Sequence, residues 1–466
     1  MRKSATDAAL ESQPYRAVWE KIWEIERALD LFNRNIGDVH YWPLFRGPLA
    51  QRLSEVLGIH SAPSFAIHTW RVKRGVSALK TLATGADRPS RGGGSVDSIL
   101  IPFSRRRPDG RIDVHSARLL REDELGRFLI LNNGRHTGDD VCPHVSCNWD
   151  SVRLLARAAA FVSAPKLLAA AHRESSAIAC EVAKHFGRKL TISAAALAHR
   201  CASFAIGRGL ARRTIALSGA KRLFIIGRNS APEALAACAD LATSSIELQH
   251  GVIAPYNPHY YYPGCSRRIP YAPDFLLTYG PFWTEDVQLP AQTKTIVIGS
   301  SAGADRISSE KVQRRLIVLS QWTIGQRLAE ITRELAALAP DWDIVFRPHP
   351  LEDVRRHAAC FANGPSNVRV SNERDSLHAL LATAQTQLGV YSTALYEGMA
   401  AGLRTIVVAL PGAEHLDFNI ANGDAALTRN ATEIAAQLAV APRATTTSRY
   451  YAAPAPSIAA LLTSHA

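Results

Sequence analysis

The stretch Thr386-Gln-Leu-Gly-Val-Tyr-Ser-Thr-Ala-Leu-Tyr-Glu-Gly-Met-Ala-Ala-Gly402 decides the fold, because it joins a strand, a polar turn and a helix. Residues 388–390 are predicted to end a buried strand, and residues 394–401 are predicted to form a helix that the final glycine ends. Ser392 or Thr393 is a predicted N-cap, since its hydroxyl can accept a hydrogen bond from a free amide of the first turn. Such amides, together with the helix dipole, favour an anion such as phosphate at this position.

Two further side chains belong to the same predicted site. Tyr391 lies in the polar turn, and Glu397 lies one helical turn beyond Thr393 on the same face. A phosphate held at the turn would therefore have a carboxylate nearby, placed to meet a sugar hydroxyl. The alternative is a capped helix packed on a sheet, with Glu397 in solvent.

Composition limits the class of protein. The chain has 466 residues, of which 47% are hydrophobic and 20% charged, which is typical of a globular protein with two domains. The most apolar long segment, residues 154–171, is interrupted by charged residues and a proline, so a membrane-spanning helix is not expected. No apolar run follows the charged N-terminus, so we expect no secretory signal and a cytoplasmic location.

The net charge and the cysteine content limit which molecules the protein is expected to bind. The net charge of +13 and pI of about 9.6 suit an anionic substrate, an anionic inner-membrane surface or nucleic acid. The basic residues are spread along the chain without interleaved aromatic residues, so nucleic acid is not expected, whereas a peripheral membrane contact stays open. The seven cysteines are scattered, which predicts free thiols, and their spacing predicts no metal site.

Strands alternate with helices over most of the chain, which predicts an α/β fold with parallel sheets. The pattern occurs twice and predicts two Rossmann-like domains facing across a cleft. The predicted divisions are a helical N-terminal extension (1–96), an acceptor domain (97–285), a donor domain (286–445) and a C-terminal tail with a helix (446–466).

Polar motifs follow strands of the second predicted domain, where parallel sheets bind ligands. Ser320, Gln321 and Thr323 precede a helix and predict a second anion-binding N-terminus. Arg347 can pair with phosphate in a fork, and His349, between two prolines, can donate to a phosphate oxygen. Because neither a Gly-x-Gly-x-x-Gly motif nor a Walker loop is present, the pattern does not favour a dinucleotide or ATP.

His250 is the predicted catalytic base of the first domain. It follows a strand, and Gly251 beside it allows close backbone approach. An imidazole with a pKa near neutrality can take a proton from an incoming hydroxyl. Asp113 is a second candidate, and the alternative for His250 is a structural hydrogen bond to a carbonyl.

Five stretches carry a resemblance to a known family: Glu247-Leu-Gln-His-Gly-Val-Ile253, Pro273-Asp-Phe-Leu-Leu-Thr-Tyr-Gly280, Ser320-Gln-Trp-Thr-Ile-Gly325, Arg347-Pro-His-Pro350 and Gly389-Val-Tyr-Ser-Thr-Ala-Leu-Tyr-Glu397. They resemble bacterial glycosyltransferases of the GT-B architecture from the capsule, O-antigen and lipooligosaccharide class. The donor site is similar to those of polysialyltransferase-like, Kdo-transferase-like and teichoic-acid polymerase-like enzymes. The resemblance implies donor-phosphate binding by His349, Ser392 and Thr393, and a base at His250.

The activity implied is transfer of a sugar from a nucleotide-sugar donor to a cell-surface polysaccharide or lipid-linked glycan, without a bound metal or other cofactor. The one Asp-x-Asp, Asp341-Trp-Asp343, opens a strand and so lies at the wrong edge of the sheet for metal-assisted transfer. Three alternatives stay open: a nucleotide-sugar 2-epimerase, a glycerophosphotransferase that uses a CDP-polyol, and a non-catalytic glycan- or nucleotide-binding protein. The sugar, the acceptor and the stereochemistry are left open as well.

Overall fold

The structure is a computed structural model that describes residues 14–59, 96–102, 115–132, 145–300, 312–350, 352–372, 375–440 and 449–465. The strands are β1 (Ser98–Ile101), β2 (Phe128–Asn132), β3 (Val145–Asn148), β4 (Arg222–Ile226), β5 (Ser244–Leu248), β6 (Phe275–Thr278), β7 (Lys294–Val297), β8 (Arg315–Leu319), β9 (Asp343–Arg347), β10 (Val368–Val370), β11 (Thr386–Gly389), β12 (Arg404–Val408) and β13 (Ala425–Thr428).

The α-helices of these residues are α1 (Pro14–Ala28), α2 (Trp42–Val56), α3 (Trp149–Ser163), α4 (Leu168–Phe186), α5 (Ala194–Ser218), α6 (Pro232–Leu241), α7 (Gly325–Leu338), α8 (Val354–Phe361), α9 (Leu377–Thr383), α10 (Thr393–Ala400), α11 (Asp417–Ala421), α12 (Ala431–Leu438) and α13 (Ile458–His465). Short 3₁₀ turns occupy Leu31–Asn33, Leu119–Arg121, Asp123–Leu125, Ala164–Leu167, Arg228–Ser230, Pro281–Thr284 and Ala413–Leu416.

The first sheet contains seven parallel strands in the order β3-β2-β1-β4-β5-β6-β7. Strand β1 lies inside the sheet, with Ser98 opposite both Phe128 of β2 and Arg222 of β4. Strands β2 and β3 are added on one side of β1, and β4 to β7 are then added on its other side. A crevice therefore opens at the carboxyl ends of β1 and β4, where open α/β sheets bind ligands.

The second sheet has six parallel strands in the order β10-β9-β8-β11-β12-β13. Its crevice lies between β8 and β11, whose last residues Leu319 and Gly389 are paired. The inner strands are buried along their length because helices cover both faces. The predicted α/β fold with two Rossmann-like domains is thus confirmed by the sheet topology.

Two details differ from the sequence-based expectation. Strand β7 pairs with β6, so the first sheet extends beyond residue 285, where the first domain was predicted to end. Strand β3 at the outer edge of this sheet was not predicted at all. Both strands lie at an edge of the sheet. For β7, periodicity predicts a strand without indicating which sheet the strand joins.

The two N-terminal helices pack on the first domain around a buried ion pair. Arg46 is fully buried and contacts Glu26, with Nε 2.8 Å from Oε1. Its Nη1 also donates to the carbonyl oxygens of Pro258 at 3.2 Å and Tyr261 at 2.7 Å. Helix α1 reaches the second domain as well, where the Tyr15 amide donates to Glu414 at 3.1 Å. The predicted extension is therefore part of the core.

The run from Trp149 to Phe186 is, by length and composition alone, apolar enough to cross a membrane, and most of it is not buried. Its buried side chains, among them Ile178 and Val182, pack into the core of the first domain. The remaining face of α3 is open and carries Phe161 and Val162, which are 73% and 82% exposed.

The C-terminal segment connects the domains. Tyr450 packs in the core of the second domain, while its carbonyl accepts a hydrogen bond of 2.8 Å from Trp283 Nε1. Two residues later, the Ala452 amide donates to the Tyr279 carbonyl at 2.8 Å. Helix α13 then buries Ile458 and Leu462 against the first sheet.

Replacing Gly280 with alanine should loosen this connection. A Cβ at Gly280 would lie 2.4 Å from the Arg449 carbonyl oxygen and 2.6 Å from that of Tyr450, so the C-terminal backbone must move. We expect the free energy of unfolding in urea to fall by about 1–3 kcal/mol, the usual cost of overpacking. The matched control is Gly209→Ala in helix α5, where no atom lies within 4 Å of the added methyl and no loss is expected. Equal stability of Gly280→Ala and the parent protein would contradict the contact.

Candidate functional site

The first crevice places His250 against the loop that follows β4. A Cβ at Gly227 would lie 3.0 Å from His250 Cε1 and 3.2 Å from Nε2, so a larger residue would require the ring to shift by a few tenths of an ångström. Gly227 also has a φ of +76°, a conformation that side chains disfavour. The ring of His250, which follows β5, therefore packs on the loop after β4, one of the two strands at the switch point of the sheet. Its catalytic role stays a prediction.

The surroundings of His250 favour the neutral form of its imidazole. Burial lowers its pKa; the opposing effect of Glu247 and the further lowering by Arg228 are smaller. The residue nevertheless keeps part of its surface exposed. A neutral imidazole at physiological pH can accept a proton, which is the state that a general base requires.

His115 lies beside His250 and was not singled out from the sequence. The two rings meet edge-on, with centroids 6.4 Å apart. The Tyr279 hydroxyl donates to the Gln249 carbonyl at 2.7 Å, and His115 Nδ1 lies 2.9 Å from the same hydroxyl. Because that hydroxyl has only one proton, neutral His115 must carry its own on Nδ1, and Nε2 is the basic nitrogen. No motif marked His115, although it is two residues from the candidate Asp113, which lies outside the described residues.

A buried ion pair holds the loop after β4 in place. Glu247 accepts from the Arg228 amide at 2.9 Å and from its Nε at 2.6 Å. The Tyr260 hydroxyl donates to the same carboxylate at 2.8 Å. Glu247 is fully buried, so its carboxylate holds this loop and does not face a ligand.

The second crevice contains the predicted cap of α10. Ser392 has extended backbone angles, and its hydroxyl accepts from the Ala394 amide at 3.2 Å. Of the two candidates, Ser392 is therefore the N-cap and Thr393 is the first helical residue. The N-terminus of a helix carries the positive end of the helix dipole, so this end of α10 favours an anion.

The second predicted anion site is already filled by the protein. Glu352 accepts from the Ser320 hydroxyl at 3.0 Å and from the His349 amide at 2.5 Å, and it lies 3.0 Å from His357 Nε2. A Cβ at Gly325, the first residue of α7, would lie 1.6 Å from the Glu352 carboxylate. The prediction of a free phosphate site at this helix start is therefore corrected. Burial works to raise the pKa of Glu352, but these hydrogen bonds outweigh it and lower the pKa.

Glu352 was missed because it lies after the Arg-Pro-His-Pro motif and no spacing rule connects it with Ser320. Through its carboxylate, however, the ends of β8 and β9 are joined, so Ser320 and His349 do lie together. The Thr323 hydroxyl forms a short hydrogen bond with the Tyr391 hydroxyl, which joins the same region to the end of β11.

Three other residues predicted for the site, Arg347, Gln321 and Glu397, are not brought into contact with Ser392 or His349 by any hydrogen bond described above. Arg347 donates from Nη1 to Ser371 Oγ at 3.3 Å and to the Asn372 carbonyl at 2.5 Å, at the end of the outer strand β10. Gln321 is partly buried, and its carbonyl accepts from the amide of Ile324. Glu397 is partly buried, and its charge raises the pKa of Tyr451 further, after the larger effect of burial. The roles predicted for them stay predictions.

The two crevices meet. A Cβ at Gly251 would lie 3.8 Å from Thr393 Oγ1, so the His-Gly motif of one domain contacts the start of α10 in the other. Close by, the rings of Tyr279 and Tyr451 stack with centroids 5.7 Å apart. The candidate base and the candidate phosphate site therefore face each other across a narrow gap.

A cavity of about 610 Å³ is lined in part by Trp322, Thr323, Glu352, Leu410 and Pro411, and the hydrogen bond between Thr323 and Tyr391 connects its wall to the end of β11. Small-molecule sites typically measure about 300–1,000 Å³ and combine apolar walls with a few polar groups. Trp322 supplies an aromatic face there, and Glu352 a carboxylate. In the described parts of the chain, no three His, Cys, Asp or Glu side chains are grouped so that they could hold a metal ion.

Comparison with known proteins gives only structural similarity. No family model and no curated protein matches the chain. MurG from Acinetobacter baumannii superposes with a TM-score of 0.36 and 14% identity, over 54% of this chain and 70% of that one. The glycotransferase of kitacinnamycin gives a TM-score of 0.45 and 15% identity, covering 77% and 94%. UDP-GlcNAc 2-epimerase from Methanocaldococcus jannaschii gives 0.37 and 10%, covering 54% and 77%.

Proposed function

We propose that the protein is a glycosyltransferase that moves a sugar from a nucleotide-activated donor to a hydroxyl of a glycan acceptor. The observation that carries this proposal is the approach of Gly251 to Thr393, with 3.8 Å between the Cβ position and Oγ1. It brings a neutral histidine from one Rossmann-like domain to a helix N-terminus of the other. A base and an anion site on opposite sides of one gap would suit transfer of a sugar from a nucleotide-sugar to a hydroxyl.

The second domain would hold the donor. Its phosphate would bind at the start of α10, near Ser392 and Thr393, with His349 as a further donor from the end of β9. The base of the nucleotide would enter the cavity beside Trp322 and Leu410. Because Glu352 already fills the start of α7, the phosphate has one helix N-terminus available among the two predicted.

The first domain would supply the acceptor hydroxyl. His250, kept neutral by burial, would take the proton of that hydroxyl as it attacks the sugar. Negative charge would then build on the leaving phosphate, where the amides of α10 and His349 would stabilise it. Contact between the domains would exclude water, which would otherwise hydrolyse the donor. No step in this scheme needs a metal ion or another cofactor.

The cellular role proposed is synthesis of a capsule or lipopolysaccharide glycan on the cytoplasmic side of the membrane. Support for a peripheral membrane location comes from the exposed face of α3, where Phe161 and Val162 point into solvent. The net charge of +13 would favour an anionic lipid surface.

The test is a thermal-shift screen with CMP, CDP, UDP and GDP and their sugars. A ligand at 100 times its dissociation constant should stabilise the protein by about 2.7 kcal/mol. His349→Ala should lose this shift because a phosphate donor is removed. The matched control is His378→Ala, on the exposed side of α9 in the same domain, which should keep it. Unchanged nucleotide binding by His349→Ala would overturn the donor-site assignment.

The identity of the donor that binds, and of the product formed from it, also distinguishes the three alternative functions. A shift with CDP-glycerol and transfer of glycerophosphate would support a glycerophosphotransferase that uses the same two crevices. Conversion of UDP-N-acetylglucosamine to an epimer without acceptor would support a 2-epimerase, in which His115 and His250 would serve as the acid and base pair. Binding of a nucleotide without turnover of any donor would support a non-catalytic binding protein.

A further inference from the structure

A second cavity, of about 240 Å³, lies between the N-terminal helices and the second domain. Helices α1 and α2 contribute most of one wall, and the loops after β8 and β11 contribute the other. Aromatic side chains from both walls line it: Tyr15, Trp19, Trp322 and Tyr391. We call it the aromatic cavity. None of the residues that α1 and α2 contribute was assigned a chemical role from the sequence.

The aromatic cavity adjoins the site proposed for the donor. Trp322 and Thr323 line both this cavity and the larger cavity proposed for the base of the nucleotide. Tyr391 directly precedes the cap of α10, where the phosphate would bind. On the other wall, Pro258 belongs to the same loop between β5 and β6 as the candidate base His250. The part of a donor that follows its phosphate, the sugar, would lie in this region.

The walls of the aromatic cavity carry little charge. Glu55 is the one charged side chain among the described residues that line it, and no lysine, arginine or histidine is among them. Burial raises the pKa of Tyr15 to about 12 and also raises that of Tyr391, so both hydroxyls stay neutral at physiological pH. An acid group on a ligand would therefore meet no cation of the lining and would be repelled by Glu55. The cavity favours an uncharged ligand, although the whole chain has a net charge of +13.

Glu55 keeps hydrogen-bonding capacity for such a ligand. Its carboxylate accepts from Gln51 Nε2 at 3.1 Å and from Arg52 Nη1 at 3.2 Å. The Arg52 side chain is not among the lining residues and is 64% exposed, so water screens its charge. A carboxylate offers about four acceptor positions, so further donors can bind to Glu55. Hydroxyl groups are donors of this kind.

The aromatic rings suit the other side of a sugar. The face of an aromatic ring is negative, and it attracts the weakly positive C–H groups of a sugar ring that stacks on it. Helix α2 contributes the small residues Gly47 and Ala50, so open space remains between the rings. The volume of about 240 Å³ lies below the range of about 300–1,000 Å³ that is typical of drug-sized ligands. One sugar ring is therefore a better match for this space than a whole nucleotide.

We infer that the aromatic cavity holds the sugar that the protein transfers, and that this sugar carries no acidic group. The inference rests on the proposed glycosyltransferase function and adds a substrate class to it. Glu55 accepts hydrogen bonds from the sugar hydroxyls, while the sugar ring stacks on the aromatic side chains. Sialic acid and Kdo, each of which carries a carboxylate, are excluded as the transferred sugar. Helices α1 and α2 thus form the wall of the donor site that determines its specificity.

The test compares neutral and acidic sugars on one nucleotide, by calorimetry with the full-length chain. The probes are UDP, UDP-glucose, UDP-galactose, UDP-N-acetylglucosamine and UDP-glucuronate, with GDP, GDP-mannose and GDP-mannuronate as the guanine set. We expect a neutral sugar to bind more tightly than the nucleotide without a sugar, and the acidic sugar to bind about tenfold more weakly than that neutral sugar. An acidic sugar bound as tightly as the best neutral sugar would overturn the inference. Tighter binding of CMP-N-acetylneuraminate than of CMP would overturn it as well.

Glu55→Gln tests the residue that sets this preference. Because the variant removes the negative charge, the ratio of affinities between neutral and acidic sugar should fall about threefold or more, with affinity for UDP or GDP unchanged. The matched control, Glu20→Gln, removes an exposed carboxylate of α1 that does not line the cavity and should keep the ratio. Equal changes in the two variants would show an effect of net charge and overturn the role of Glu55. Each variant is first checked for an unchanged melting temperature, so that a folding defect cannot imitate the change.

The nucleotides without a sugar separate this inference from the proposed function. If the parent protein binds neither nucleotides nor nucleotide-sugars, the proposed function itself fails. If it binds a nucleotide but no neutral sugar adds affinity, or if Glu55→Gln keeps the full discrimination, only the cavity inference fails. Weaker binding of UDP or GDP by Glu55→Gln would assign the cavity to the nucleotide, and a change confined to KM for the acceptor would assign it to the acceptor. Either result would overturn the assignment to the transferred sugar.

Discussion

His250→Ala is expected to lower kcat for sugar transfer by about 10²- to 10⁴-fold, the usual contribution of a general base. The variant should bind nucleotide normally, since the donor is held by the other domain. Burial disfavours the charged imidazole, so His250 should be neutral and ready to accept a proton in the free enzyme. Single-turnover kinetics with a saturating donor would measure the loss in the chemical step.

The direction in which the pKa of His250 is shifted predicts how kcat/KM depends on pH. The pKa of His250 is lowered, so the basic form persists to more acidic pH than for an ordinary histidine, whose pKa is about 6.5. As pH falls, kcat/KM of the parent protein should therefore decline only below about pH 6.5. The residual activity of His250→Ala should not show this decline. A decline centred above pH 6.5, unchanged in the variant, would contradict the assignment.

Two further variants complete the experiment. His172→Ala removes an exposed histidine of α4 in the same domain and should leave transfer unchanged. His115→Ala removes the neighbouring imidazole, whose Nδ1 lies 2.9 Å from the Tyr279 hydroxyl. If His115→Ala reproduces the full loss and the altered pH profile while His250→Ala retains activity, the base is His115.

Arg46→Ala should produce the largest loss of stability, about 3–5 kcal/mol, because it leaves a buried carboxylate without its counterion. Glu26 lies 2.8 Å from Arg46 Nε, and burial already raises its pKa despite that ion pair. Without Arg46, Glu26 would have to take up a proton or become hydrated. Urea unfolding at neutral pH would measure the difference.

The control for Arg46 is an exposed ion pair on the same helix. Arg52 Nη1 lies 3.2 Å from Glu55 Oε2, but the Arg52 side chain is 64% exposed. Arg52→Ala should cost less than about 1 kcal/mol. The double variant Glu26→Met and Arg46→Met should recover much of the stability, since both charges are removed. A loss for Arg46→Ala no larger than for Arg52→Ala would contradict the buried pair.

The sequence predicts the backbone of the site better than its contacts. Ser392 was one of two candidate caps and His250 a candidate base, because strand ends and N-caps leave local patterns. Glu352 was not found, since it meets Ser320 only through the packing of two loops 32 residues apart. His115 likewise depends on Tyr279, 164 residues away, and no local pattern reports such a contact.

The return of the C-terminus to the first sheet makes the second domain an insertion within the first. The peptide chain passes to the second domain before β8, and it returns to the first domain after Tyr450, where the Ala452 amide donates to the Tyr279 carbonyl. Two tethers restrict the relative motion to a swing about the line that joins them. In the proposed transferase, such a swing would widen or narrow the approach of Thr393 to Gly251 without breaking either sheet, and would so let the donor enter and the product leave.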